Sequence, residues 1–255
     1  MSAVIPSAHS RVTTALLLAA GAGSRFGPAG ESIPKCLAVV GGISILARLL
    51  DNLRARNFQR LIIVTGYLEH TIREFALANA GNLEIVFIDN PDYATTNNIY
   101  SLWLARRQLK EPFLLIESDL VFDHNLLEPM LLPDRIAVSE ILPWMHGTTV
   151  SVGASHRVES FHLLGATTQS GKYKTVNIYS LSLASWEKIL ARLTAHIGAG
   201  RTGSYYEIVF AELVEEGALG LEAVIWPSDR WYEMDTVADQ QAANHMPDFS
   251  LPAVS

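Results

Sequence analysis

One glycine-rich turn in this sequence has the composition to hold a polyphosphate. Leu18-Ala19-Ala20-Gly21-Ala22-Gly23-Ser24-Arg25-Phe26-Gly27 is followed by Pro34-Lys35-Cys36-Leu37. Glycines at 21 and 23 let backbone N–H groups turn toward an anion, because no side chain blocks the approach. Arg25 can fork onto two phosphate oxygens, and Lys35 adds a mobile point charge. The rival readings are a dinucleotide-binding turn or a plain tight strand–helix loop. The glycine spacing is Gly-x-Gly-x-x-x-Gly, and the next helix starts only near Ser44; both features argue against a nicotinamide site. No Gly-Lys-Ser/Thr closes the turn, so it is not a P-loop. Asp119 and Asp235 come from distant parts of the chain and could share a Mg²⁺, an ion that typically uses one or two protein carboxylates. Taken alone, each Asp reads more simply as a solvated turn or helix-cap residue.

Other chemistries find little support. There is no Gly-x-Ser-x-Gly elbow, and Cys36 has no obvious His partner. The eight His residues show no zinc-binding spacing. A single Cys excludes a disulfide framework and suits a reducing cytosol, so a cytoplasmic location is expected. The apolar run at 15–20 is too short for a membrane helix, and residues 1–14 lack the basic start and apolar block of a signal peptide. The net charge of −7 has the wrong sign for a nucleic-acid partner. With 255 residues there is ample chain for a substantial core.

The elements that must position these residues alternate. Apolar runs at 14–20, 60–65, 84–88 and 113–117 read as buried strands. Helical periodicity covers 44–56, with Ser44 a candidate N-cap, then 69–79 closed by Gly81, then 97–109. This order implies an α/β fold, a parallel sheet covered by helices on both faces, with ligands beyond the carboxyl ends of the strands. The second half predicts strands at 136–141, 147–152, 175–183 and 221–225, and helices at 185–197 and 204–215, the latter ended by Gly217. It reads as an extension of the same sheet plus a lid.

The glycine turn with Arg25 and Pro34-Lys35-x-Leu37 resembles the signature loop of nucleotidyltransferases with a glycosyltransferase-A-like fold. Val64-Thr65-Gly66-Tyr67, Asn97-Asn98-Ile99-Tyr100-Ser101, Glu117-Ser118-Asp119 and Glu233-Met234-Asp235-Thr236 resemble pieces of one subgroup, the cytidylyltransferases acting on phosphocholine or on phosphonates such as 2-aminoethylphosphonate. Lys174-Thr175-Val176-Asn177-Ile178-Tyr179 and Tyr205-Tyr206-Glu207 are similar to that subgroup too. The resemblance implies a Rossmann-like three-layer α/β/α fold with a mainly parallel central sheet and a substrate lid. It implies transfer of CMP from CTP to a small phosphorylated or phosphonylated acceptor, with release of pyrophosphate. Ala19 to Gly23, Arg25, Lys35, Gly66, Tyr67, Asn90, Asn97 and Ser118 would then serve the nucleotide. Asn98, Trp144, Asn177, Tyr206, Glu207 and Glu233 would serve the acceptor, and Asp119 and Asp235 would hold Mg²⁺. Lys35, Arg25, Asp119 and Asp235 form the expected catalytic set.

Two departures from the subgroup bear on the acceptor: His146 stands where Asp is usual, and Ser180 where Lys is common. The late aromatic residues Trp144, Tyr173, Tyr179, Tyr205, Tyr206, Trp226, Trp231 and Tyr232 could surround a cationic headgroup, aided by Glu207 or Glu233. Core and lid packing is the simpler role for any one of them, and Trp186 belongs to the core. Residues 1–12 and 246–255 read as disordered tails around one domain, 13–245. Its nucleotide-binding half is 13–125 and its acceptor-binding half 126–245. A homodimer is left open, and no nucleic acid or membrane partner is expected. The alternatives are a sugar-1-phosphate nucleotidyltransferase using UTP or dTTP, and a nucleotide-binding module without turnover.

Overall fold

The computed structural model describes residues 11–23, 33–163 and 172–245. In chain order the elements are β1 (Thr14–Ala19), a short hairpin of β2 (Val39–Val40) and β3 (Ile43–Ser44), α1 (Ile45–Ala55), β4 (Arg60–Thr65), α2 (Glu69–Asn79), β5 (Glu84–Asp89), α3 (Asn98–Leu104), β6 (Phe113–Glu117) and β7 (Leu120–Phe122). They continue with β8 (Arg135–Glu140), β9 (Thr149–Val152), β10 (Val158–His162), β11 (Lys172–Leu181), α4 (Leu183–Gly198), α5 (Glu207–Glu215), β12 (Glu222–Trp226), β13 (Trp231–Glu233) and α6 (Val237–Ala243).

Nine strands form the central sheet. Its main path is β10-β9-β11-β6-β1-β4-β5, with β8 beside β11 and β12 beside β8. Pairing directions make β10 and β11 run against the other seven, so the sheet is mainly parallel as expected. Strand alternation divides the core into two layers. Ala15, Leu17, Leu61, Ile63, Leu114 and Ile116 meet α1 and α2 on one face. Leu16, Leu18, Ile62, Val64, Phe113 and Leu115 meet α3, α4 and α5 on the other. Trp186 is 1% exposed and meets Phe113 edge-on, the core position its helix face predicts.

Local signals fixed several element ends. Ser44 caps α1 by accepting from the Ala47 amide. Gly81 and Gly217 take φ of +60° and +69° just beyond α2 and α5, the left-handed geometry that stops a helix. Other boundaries differ from expectation. The cap of α4 is Ser182, which accepts from the Ser185 amide, so that helix begins earlier than 185. The 97–109 helix ends at Leu104 and tightens into a 3₁₀ turn. Val12 is fully buried and donates to the Leu131 carbonyl, which puts it in the fold and corrects the expected boundary at 12, while residues 1–10 lie outside the described residues. Residues 246–255 lie outside the described residues. Strands β7, β10 and β13 were not anticipated, because short segments leave little periodicity to read.

Candidate active site

The carboxyl ends of β1, β4 and β6 open on one edge of the sheet, and the glycine turn leaves β1 there. Gly23 takes φ of +60°, and a Cβ on it would lie 3.5 Å from Lys35 Cβ, so the turn rests against the lysine. Lys35 opens a 3₁₀ turn whose amides fold back on Pro34 and Lys35 carbonyls. Its ammonium donates to Asp119 Oδ2 at 2.7 Å and to Asp235 Oδ1 at 2.7 Å. Burial opposes the Lys35 charge, but these two carboxylates outweigh it and hold the pKa above its ordinary value.

Two strands distant in sequence explain how Asp235 reaches Asp119. β13 pairs antiparallel with β7, Glu233 opposite Leu120, and the Met234 amide donates to the Asp119 carbonyl at 2.9 Å. Beyond it Thr236 and Asp239 form a capping box at the start of α6, and Asp239 also accepts from the Asp235 amide. Asp119 Oδ1 is buried and has no hydrogen-bond partner among the described residues. An anionic oxygen left in that state, beside a second carboxylate, fits a divalent cation. No group of three or more His, Cys, Asp or Glu among the described residues could hold a metal, so the protein would supply two carboxylates.

Next to this pair lies a cavity of about 150 Å³, lined by His146, Gly147, Thr148, Lys174, Asn177, Tyr205, Glu207, Glu233 and Asp235. Lys174 is only 1% exposed and reaches Glu233 Oε2 at 3.2 Å and the Thr175 carbonyl at 2.7 Å. Gly147 passes beside it with φ of +102°, a backbone conformation that favours glycine. Asn177 has φ of +60° at a register shift of β11 against β8, and donates to Glu233 Oε1 at 3.2 Å. Backbone held in this region at a non-glycine residue is strained, and such strain clusters at sites. Glu207 is 6% exposed, and its pKa is pushed up to about 7, first by burial, with the Glu233 charge adding and Lys174 opposing. Burial, then the charges of Asp119 and Glu207, raise the Glu117 carboxyl well above the usual range. A larger groove of about 450 Å³, around Asp134, Arg157 and Glu222, touches none of these residues.

The structure thus brings Gly23, Lys35, Asp119 and Asp235 together, with Asn177, Glu207 and Glu233 around the adjoining cavity and Gly21 just beyond the end of β1. Arg25 and Ser24 lie outside the described residues. Other expected positions have different surroundings. Ala19 and Ala20 are 5% exposed. Ala20 works through its carbonyl, which accepts from the Tyr67 amide and ties β4 to the turn. Gly66 is compelled by packing, since a Cβ would meet Tyr93 at 2.7 Å and the Ala20 carbonyl at 2.9 Å. Tyr67 lies tilted against Tyr93. Asn90 is buried and bonds Thr96, Ser101 and the Asp92 amide, so its side chain builds the loop after β5 and presents nothing to a base. Asn97 caps α3 through the Asn98 amide, and its own amide donates to the Thr202 carbonyl. Asn98 spans three elements, donating to Glu117 and accepting from the Tyr206 amide. Ser118, half-buried, bridges β6 and Asp119 in the chain.

Most of the late aromatic residues take the packing role, and the correction falls on Trp144 and Tyr206, expected at the acceptor but absent from the cavity lining. Tyr179, Tyr206, Trp226 and Trp231 are at most 1% exposed, and the Tyr206 ring packs on Tyr179 and Phe210 under the site floor. Trp144 stacks on Tyr232 with centroids 4.3 Å apart, and neither lines the cavity. Among those rings only Tyr205, 53% exposed, lines it. Lys174 and Glu117 were missed as site residues. The available signal was a charged residue inside an otherwise inward-facing strand pattern. Cys36 is 2% exposed, and burial pushes its thiol up to about 12, which removes it as a nucleophile.

At the carboxyl edge of its mainly parallel α/β sheet the chain places a glycine turn, a lysine and two carboxylates. Residues 15–139 match the MobA-like NTP transferase domain, which bears out the resemblance read from the signature loop. Over 238 residues the chain is 32% identical to CMP-5'-(3-aminopropyl)phosphonate synthase of Streptomyces rubellomurinus, covering 90% of this chain and 38% of that protein. It is 29% identical over 129 residues to 2-aminoethylphosphonate cytidylyltransferase of Lancefieldella rimae, covering 50% of this chain and 51% of the relative. The chain therefore spans about two-fifths to one-half of the length of these relatives. In fold it is similar to the CTP:phosphocholine cytidylyltransferase of Streptococcus pneumoniae, with a TM-score of 0.79 at 22% identity, covering 92% of this chain and 98% of that one. Among the described residues no helix is long and apolar enough to cross a membrane.

Proposed function

We propose that this chain is a Mg²⁺-dependent cytidylyltransferase that joins CMP from CTP to a small phosphonate or phosphate bearing a primary amine. One observation carries the reading: the Lys35 ammonium lies between Asp119 and Asp235 at the strand ends, beside a small cavity walled by carboxylates. The names of the relatives support CTP and an aminoalkylphosphonate as the two substrates. An acceptor oxygen attacks the α-phosphorus, the new P–O bond forms, and the bond to pyrophosphate breaks. A phosphate or phosphonate with a second pKa of about 6 already carries an anionic oxygen, so no general base is required. Gly21 and Gly23 would turn amides toward the triphosphate, Arg25 would hold its β and γ oxygens, and Lys35 would bridge the α-phosphate and the acceptor. Asp119 and Asp235 would hold Mg²⁺, which supplies charge neutralisation at the transferred group.

Cavity chemistry favours a primary ammonium over a trimethylammonium. A quaternary headgroup is best held by an aromatic cage, whereas a primary ammonium has three N–H donors that want anionic oxygens. Glu207, Glu233 and Asp235 line the cavity with one of the clustered rings, Tyr205. Lys174 is already paired with Glu233, which leaves Glu207 to face the amine.

The test is pyrophosphate release with Mg²⁺ and CTP, given 2-aminoethylphosphonate, 3-aminopropylphosphonate or phosphocholine in separate reactions, and with UTP plus glucose 1-phosphate. We expect turnover with CTP and the aminoalkylphosphonates. Turnover confined to UTP and the sugar phosphate, or absent throughout, overturns the reading.

Glu207→Gln gives a second expected result with two opposite signs. Loss of a charge-assisted contact to the amine lowers kcat/KM for the aminoalkylphosphonate by about 10- to 100-fold. In the parent protein only the ionised carboxylate attracts the amine, so KM rises as the pH falls below about 7. The variant loses that part of the pH profile, while the acceptor's own titration stays in both. Stability moves the other way. The folded chain keeps the Glu207 proton between the ordinary 4.5 and about 7, where the unfolded chain has released it. Stability therefore declines as pH rises through that window, and at pH 8 the Gln variant is the more stable, by up to about 3 kcal/mol, and melts higher. A variant that melts at or below the parent at pH 8 contradicts this account of Glu207.

A further inference from the structure

Asp119 and Asp235 are held by the protein's own cation. The Lys35 ammonium is 2.7 Å from one oxygen of each, and only 13% of that side chain is accessible. Its stem starts at the 3₁₀ turn and lies beside Gly23, where an added Cβ would come within 3.5 Å of Lys35 Cβ, so it approaches the pair from the side of the glycine turn. A divalent ion that takes oxygens from both carboxylates, the unpartnered Asp119 Oδ1 included, would lie close to this ammonium and be repelled by its like charge. The backbone that carries the pair is held in place: the Asp119 carbonyl accepts from the Met234 amide, and the Asp235 amide donates to Asp239 at the start of α6.

We propose that Lys35 is a built-in counter-ion that keeps the Asp119–Asp235 pair from binding a free divalent ion, so that the metal enters with the triphosphate. The phosphate oxygens offer the ammonium another anion on the side of the glycine turn, and its departure exposes both carboxylates. Lys35 then has two separable roles, guarding the carboxylates before the nucleotide arrives and holding phosphate oxygens afterwards. This inference rests on the metal assignment of the proposed function and not on the identity of the acceptor.

The experiment is binding of Mn²⁺ alone to the full chain, read by water-proton relaxation enhancement, which reports ion attached to protein. It compares the parent, Lys35→Ala and the double variant Lys35→Ala/Asp119→Asn without nucleotide. Circular dichroism checks the fold, and Lys35→Met, which keeps the apolar stem, replaces the alanine variant if that melts early. Removing the competing charge is expected to tighten Mn²⁺ binding at least about tenfold, and the second substitution to abolish the gain. Equal affinity in the parent and in both Lys35 variants overturns the proposal and leaves the metal-dependent reading standing. No protein-bound Mn²⁺ in any variant, even after CTP is added, overturns both.

Discussion

Lys35→Ala is expected to lower pyrophosphate release at saturating CTP by about 10²- to 10³-fold, the usual effect of removing one preorganised charge from a transferring group. The magnitude follows from where the ammonium sits. It lies at the carboxyl edge of β1 and β6, against the glycine turn and between two carboxylates, with most of its side chain out of water. A cation this close to the strand ends reaches the α-phosphate with a short movement of its side chain, and low local dielectric strengthens its effect. The loss should fall on kcat more than on the KM for CTP, because the contact strengthens as the new bond forms. The two core layers do not depend on this residue, so the melting cooperativity should be retained. Steady-state rates with CTP and an aminoalkylphosphonate provide the check, and turnover within threefold of the parent would remove Lys35 from the mechanism.

Lys174→Met is expected to destabilise the protein by about 3–5 kcal/mol, the cost of deleting one partner of a buried ion pair. An exposed pair would be worth at most about 1 kcal/mol, so burial decides the outcome. Lys174 is 1% exposed and Glu233 retains 19% of its side-chain surface, which places the pair on the buried side. Methionine fills the space of the lysine stem, so the effect is that of charge rather than of a cavity. It leaves the Glu233 carboxylate accepting from the Asn177 amide, near Asp119 and Asp235, whose charges add to burial in raising its pKa. For a chain of this size the melting temperature should drop by on the order of 10 °C. Adding Glu233→Gln should recover part of the loss, since the uncompensated charge is then gone. Denaturant unfolding of the single and double variants measures that coupling. A single-variant loss under about 1 kcal/mol would mean that water reaches this pair.

Much of this protein was settled by local sequence. Continuous apolar runs could only be strands covered on both faces, and Ser44, Gly81 and Gly217 marked helix ends because caps are chemistry between near neighbours. The glycine turn at the end of β1 was equally legible, since glycines at 21 and 23 mark where a strand gives way to a tight turn. Tertiary structure alone decided the rest. That Asp235 stands beside Asp119 depends on β13 pairing with β7, two three-residue strands far apart in the chain with no periodicity to announce them. That Tyr206, Trp226 and Trp231 fill the core while Glu207 and Lys174 wall the cavity depends on which face of each strand and helix meets its neighbour. Residue type says that a ring or a charge must find a partner, and only the packed chain says which one it finds.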